Sequence, residues 1–224
     1  MRFLGDQSEL ARRTQPPENE IPVSAGVGAL IARTPDVAIA LVGVLVFSRG
    51  VQLEVAIRTR DDVSDAAVAA DAAPAPWDLH ELVDGRRGGH AQAQRLLLGV
   101  QFADGRTAST LGNPWQLAAD GGEVPPPGPP PPLLLLSHST SSERAYDATF
   151  WLTELPPAGD LVLVCAWPAF GIPETLVRLD AGELIAAAAR VVVLWEPQPE
   201  RTAGVRPTTP PDLPDGGWFR RALG

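Results

Sequence analysis

"DVAIALVGVLVFSRGVQLEVAIRTR", residues 36–60, decides how this chain is built. Its first arm, Val37 to Phe47, is a continuous apolar run rich in β-branched residues, the pattern of a strand buried on both faces. Its second arm alternates. Val51, Leu53, Val55 and Ile57 fall on one face, and Gln52, Glu54 and Arg58 fall on the other. Strict alternation is the signature of a strand with one face in the core and one in water. Ser48-Arg49-Gly50 joins the arms, with Gly50 free to take a positive φ. The stretch therefore reads as an antiparallel hairpin.

Two further stretches follow the same logic. In "RLLLGVQFADGRTASTL", residues 95–111, Leu98, Val100 and Phe102 alternate with Gly99 and Gln101. Asp104-Gly105 signals a two-residue turn. "DATFWLTELPPAGDLVLVCAWP", residues 147–168, reads as a third hairpin with its loop at 156–160. In "LVLVCAWPAFGIPETLVRL", residues 161–179, both strand faces are apolar, so the first part reads as a central strand. Pro168 ends it, Gly171 permits a bend and Pro173 begins the next strand. "DAGELIAAAAR", residues 180–190, is the persuasive helix, with Asp180 as N-cap and Glu183 completing a capping box. "VVVLW", residues 191–195, is either its buried end or a final strand. The expected fold is mainly β: an antiparallel β-sandwich, Ig-like or jelly-roll-like, with one short C-terminal α-helix. An up-and-down barrel is the alternative.

The remaining segments are irregular. Residues 1–20 read as a flexible N-terminal tail and 196–224 as a Pro-rich C-terminal tail, leaving 21–195 as a single domain. Two excursions interrupt it, at 61–94 and 112–145. In the first, residues 61–90 hold seven acids against two arginines, with a short helical turn expected at 77–83. In the second, seven of the eight residues from Pro125 to Pro132 are proline, which cannot donate to a ladder and forms polyproline II. That rod reads as a stiff spacer sooner than as a ligand for an aromatic groove. Leu133 to Leu136 rejoin the sheet, and "SHSTSSER", residues 137–144, reads as a polar linker.

Charge narrows the function. The net charge is −9, and all the basic residues are arginines, which occur at most in pairs such as Arg12-Arg13 and Arg220-Arg221. Nucleic acid calls for a clustered basic face, and anionic membranes repel the same charge, so neither is an expected partner. The N-terminus carries Asp6 and Glu9 and has no apolar core of a signal peptide. No apolar run reaches the roughly 20 residues of a membrane span. The one cysteine, Cys165, makes no internal disulfide, and a cytoplasmic location is the default expectation.

The usual catalytic patterns do not occur. His80, His90 and His138 are scattered through the excursions, and there is no HExxH or CxxC, so neither a metal nor another cofactor is expected. Cys165 lies in a strand interior without a neighbouring base, the setting of an inert thiol. Ser, His and Glu are adjacent in "SHSTSSER", but catalytic triads are assembled from separate elements. No GxSxG elbow and no phosphate-cradling glycine loop is present. An enzyme would have to gather acids such as Asp104, Glu154 and Glu174 with arginines in a concave pocket.

Six tryptophans carry the positive signal. Trp151, Trp167 and Trp195 are expected in the core. Trp77, Trp115 and Trp218 fall in irregular segments, where exposed aromatics mark interfaces, and Phe170 sits at the corner after Trp167. The stretches "LLLGVQFADGR" and "YDATFWLTELPPAGDLVLVCAWPAFGIPET", with the Ala-rich helix after them, resemble a group of β-rich proteins from GC-rich bacteria. The resemblance covers residues 21–195. That group carries no assigned activity, so it implies only a recurrent unit with a tolerated loop at 112–145. The expected function is a non-catalytic protein-binding or assembly module, able to pair with another protein or with itself. A small-molecule or carbohydrate-binding sandwich and an enzyme of unidentified class are the alternatives.

Overall fold

The computed structural model describes residues 13–60, 83, 94–111 and 131–197. The opening hairpin is present as β4 (Val37–Val46) and β5 (Val51–Thr59), paired antiparallel from Val37↔Thr59 to Val46↔Val51. The first arm corrects the reading of a strand buried on both faces. Its inward residues Val37, Ile39, Leu41, Val44 and Val46 are buried, whereas the opposite face is only partly covered. A bulge between Leu41 and Gly43 changes the parity of the strand and leaves Val42 61% exposed.

Gly50 is not among the positive-φ glycines, so the turn does not use that freedom. It is glycine for lack of room. A Cβ at this position would stand 2.4 Å from the Leu152 carbonyl oxygen and 2.6 Å from the Trp151 ring. Both are fixed, one by the β-ladder and one by burial. Gly50→Ala is expected to cost about 3 kcal/mol, the upper part of the range for overpacking, measured as a shift in the urea midpoint at unchanged slope.

Two sheets are stacked. The larger adds β2 (Val23–Ala25), β3 (Ala29–Arg33), β8 (Leu134–Ser141) and β9 (Ala145–Leu152) in the order β2-β4-β5-β9-β8, with β3 also on β4. The smaller runs β11 (Ile172–Asp180), β10 (Asp160–Trp167), β6 (Leu97–Gln101), β7 (Thr107–Ser109). Every pairing is antiparallel and neither sheet closes on itself. Inward residues of both, including Ile39, Leu53, Phe150, Val100, Leu163 and Trp167, form one core. The fold is thus the antiparallel sandwich, not the barrel.

Three local expectations are corrected. Residues 147–168 are not a hairpin: β9 pairs with β5 and β8 in one sheet, and β10 with β6 and β11 in the other. The two prolines at 156 and 157 cannot extend a ladder, and the chain uses 153–159 to cross between layers. The turn at Asp104-Gly105 spans three residues, not two. Phe102 N–H donates to Arg106 O at 2.8 Å and Gly105 N–H to Phe102 O at 2.9 Å, with Gly105 at φ 86°. Finally, residues 137–141 are strand and not linker, so the second excursion ends before β8. Its hydroxyl-rich face is solvated because β8 is the sheet's outermost strand, where polar side chains cost nothing.

The helix is α1 (Ala181–Ala188). The Asp180 side chain accepts from Gly182 N–H at 2.8 Å, while no return hydrogen bond from Glu183 is made among the described residues. Ala181, Leu184 and Ala187 anchor the helix in the core. Beyond it, β12 (Val192–Val193) pairs with β1 (Glu20–Ile21) as a separate two-stranded ribbon. Residues 13–20 lie against the β4–β5 turn. Arg13 O accepts from Trp151 Nε1 at 2.9 Å, Gln15 O from Arg49 Nη2 at 3.1 Å, and the Glu20 carboxylate from Ser48 N–H at 2.9 Å. The helical turn expected at 77–83 falls outside the described residues except for Val83, which is buried in the core.

Candidate interaction surface

The segment around Cys165 is structural. Leu161, Leu163, Cys165 and Trp167 are all buried on the core side of β10, which has a strand on each flank. Pro168 opens a short 3₁₀ turn to Phe170, and Gly171 closes it at φ 61°. Burial pushes the Cys165 thiol up to about 12, against which a Thr175 hydrogen bond acts weakly. A thiol so protonated is a poor nucleophile at neutral pH. Thiol-specific reagents are therefore expected to label Cys165 only at the rate of global unfolding; labelling of the native protein at the rate of a free thiol would contradict this placement.

The acids named as a conceivable catalytic set are brought together only in part. Arg106 Nε binds Asp104 at 2.8 Å and its Nη1 binds Glu154 at 2.6 Å. The Phe102 ring lies beneath the guanidinium, 5.2 Å away. Hydrogen bonds from the Arg106 backbone and side chain hold the Asp104 carboxyl below its ordinary value, and Glu154 and then Asp104 raise the arginine. A carboxylate kept ionised in this way is not a proton donor at neutral pH. Because Asp104 belongs to the β6–β7 turn and Glu154 follows β9, the trio ties the two sheets together across an exposed edge. Glu174 lies elsewhere, exposed on β11 beside the other end of β10.

An open groove of about 700 Å³ lies at the β3–β4 turn, lined in part by Arg33, Asp36, Arg58 and Arg60. Arg58 is already committed to Asp147 at 2.8 Å. Among the described residues no group of three His, Cys, Asp or Glu comes together, and no helix is long and apolar enough to cross a membrane. His138 is exposed on β8; His80 and His90 lie outside the described residues.

The β1–β12 ribbon is the unusual surface. The apolar run after α1 outlives the core: the last inward residue is Ala187, and the chain continues with Val192, Val193, Leu194 and Trp195, which are 54%, 59%, 42% and 55% exposed. Ile21, opposite Val192, is 51% exposed. Trp195 is thus on the surface, not in the core, because among the described residues only β1 pairs with this segment. Its position is fixed by backbone bonding. Leu194 N–H donates to Asn19 O at 2.8 Å, and Asn19 Nδ2 donates to Trp195 O at 2.7 Å. The run was visible in the sequence; the missing signal was where the core would end.

The aromatics singled out from the sequence fare differently. Trp77, Trp115 and Trp218 lie outside the described residues. Phe170 is half-buried and leans on Trp167, with ring centroids 4.5 Å apart. Trp151 and Trp167 are fully buried; Trp167 is in the inter-sheet core as expected, and Trp151 lies outside it. The chain matches no protein-family model, no curated protein and no solved structure.

Proposed function

We propose that the chain is a non-catalytic protein-binding or assembly module, acting in the cytoplasm, whose contact surface is the β1–β12 ribbon. One observation carries this reading: four consecutive large apolar residues, 192–195, are each exposed by more than two-fifths on a ribbon fixed to the sandwich. Scattered exposed apolar residues are ordinary, but a contiguous set that ends in a tryptophan has the composition of an interface core. The rigid sandwich presents the ribbon without the ordering cost that a free segment would incur on binding.

The test is the paired substitution Val192→Ser with Trp195→Ser, both on exposed side chains. Circular dichroism and melting temperature are expected to be unchanged. Wild-type protein is expected to retain a specific partner that the double variant loses. Equal retention by the two proteins, or a wild type that binds nothing and stays monomeric, would overturn the reading.

A further inference from the structure

We infer that the groove at the β3–β4 turn binds a small oxyanion, a phosphate or carboxylate group, held between Arg33 and Arg60. The site is separate from the ribbon and does not depend on it.

The register builds the groove. Arg33 of β3 lies opposite Ala38 of β4, and Ala38 lies opposite Arg58 of β5. Residues directly opposite one another share a sheet face. The two arginines therefore stand about 10 Å apart, two strand spacings, with only a methyl group between them. Arg60 follows Arg58 by two residues and joins the same face by alternation. Its N–H donates to Asp36 O at 2.8 Å, which ties the end of β5 to the turn. Three long cationic side chains around one alanine leave a hollow, the groove of about 700 Å³. Small-molecule sites commonly have this size.

The turn beside it is braced. Thr34 N–H donates to Val37 O at 2.8 Å, and Thr34 Oγ1 accepts from the Asp36 and Val37 N–H groups at 3.2 and 3.1 Å. Pro35 has a fixed φ between them. The groove is thus preformed, and a ligand enters it with little reordering of the backbone.

Charge names the ligand. Arg58 is already satisfied: its guanidinium grips both oxygens of Asp147, at 2.8 and 3.2 Å, and donates to Ile57 O at 2.8 Å. Arg33 and Arg60 make no ion pair and no side-chain hydrogen bond among the described residues. Asp36 also lines the groove. With Asp147 set against Arg58, two guanidiniums face one carboxylate, a local positive excess on a chain of net charge −9. A guanidinium is a planar fork of donors that matches the paired oxygens of a phosphate or a carboxylate. Asp36 repels a second negative group, so the site suits a single oxyanion and not a polyanion.

The experiment is an NMR titration of the isotope-labelled full chain with inorganic phosphate and, separately, with acetate, sodium chloride holding the ionic strength constant. Backbone amide and arginine Nε–H signals are followed. Saturable shifts confined to residues 33–38 and 58–60 are expected, with a Kd on the order of 1 mM, as two exposed charge-assisted contacts give. Arg33→Gln and Arg60→Gln change exposed side chains and are expected to keep the melting temperature. Each is expected to weaken binding about tenfold. Ala38→Glu places a carboxylate in the hollow and is expected to abolish binding. Arg178→Gln, on the other sheet, is expected to leave it unchanged. A response to phosphate alone assigns a phosphate group, a response to acetate alone a carboxylate, and a response to both their shared chemistry; each supports the site. Shifts spread over arginines across the whole surface, equal binding by the Arg33→Gln and Arg60→Gln variants, or no saturable response to either anion would overturn the inference.

Discussion

Trp167→Ala is expected to lower stability by about 3–5 kcal/mol, the usual cost of emptying a large buried aromatic site. The side chain is fully buried at the end of β10, between the two sheets, with Phe170 folded over it. Its indole N–H has no hydrogen-bond partner among the described residues. That orphan makes the residue's second substitution informative. A buried unpaired donor costs about 1–3 kcal/mol, so Trp167→Phe removes a penalty while it removes ring volume. The two effects oppose each other, and the net loss is expected to stay within about 1.5 kcal/mol. Denaturant titration of both variants decides it. A Phe variant as unstable as the Ala variant would mean that the N–H is satisfied in solution.

Trp151→Ala is expected to cost as much, about 3–5 kcal/mol, for a different reason. Trp151 is buried on the far side of the larger sheet, outside the inter-sheet core. Its ring meets Phe47 edge to face at 5.5 Å, lies against Gly50, and bonds Arg13 O through Nε1 at 2.9 Å. It therefore closes the β4–β5 turn and holds residues 13–15 at once. Here Trp151→Phe is expected to lose about 2 kcal/mol, because it gives up a made hydrogen bond as well as volume. The Ala variant is further expected to release residues 13–15, detectable as fast amide exchange or early proteolysis there. Protection of that segment in the Ala variant would show that Arg49 and Glu20 suffice to hold it.

What the sequence made legible was local. The β4–β5 and β6–β7 hairpins were readable because a turn signal and two alternating arms lie within a few residues of one another. The helix was readable because Asp180 caps it and a compact apolar stripe follows. What was not legible depended on distance. Two strong strands seven residues apart, β9 and β10, look like a hairpin by periodicity alone; which sheet each joins is decided by partners far away in the chain. The "SHSTS" segment reads as linker because edge strands can be polar, so composition carries no signal there. Gly50 reads as a flexible turn residue, whereas its need arises from Leu152 and Trp151, a hundred residues on. Trp195 reads as a core residue because hydropathy reports what would prefer burial, not what finds cover. The candidate surface was thus present as an apolar string, and its role emerged only when the core was seen to stop at Ala187.

The crossover between β9 and β10 has a consequence for how the chain is made. β5 finds its second neighbour only when Leu152 can reach Val51, about a hundred residues later. At the usual pace of synthesis that is an interval of about 5–20 s. Throughout it, the β4–β5 hairpin must wait with the β5 edge open and its apolar face waiting for the second sheet. Contacts of such long sequence separation slow folding and prolong exposure. The nascent protein is most vulnerable to aggregation in that window, and slower elongation across residues 60–150 would lengthen it.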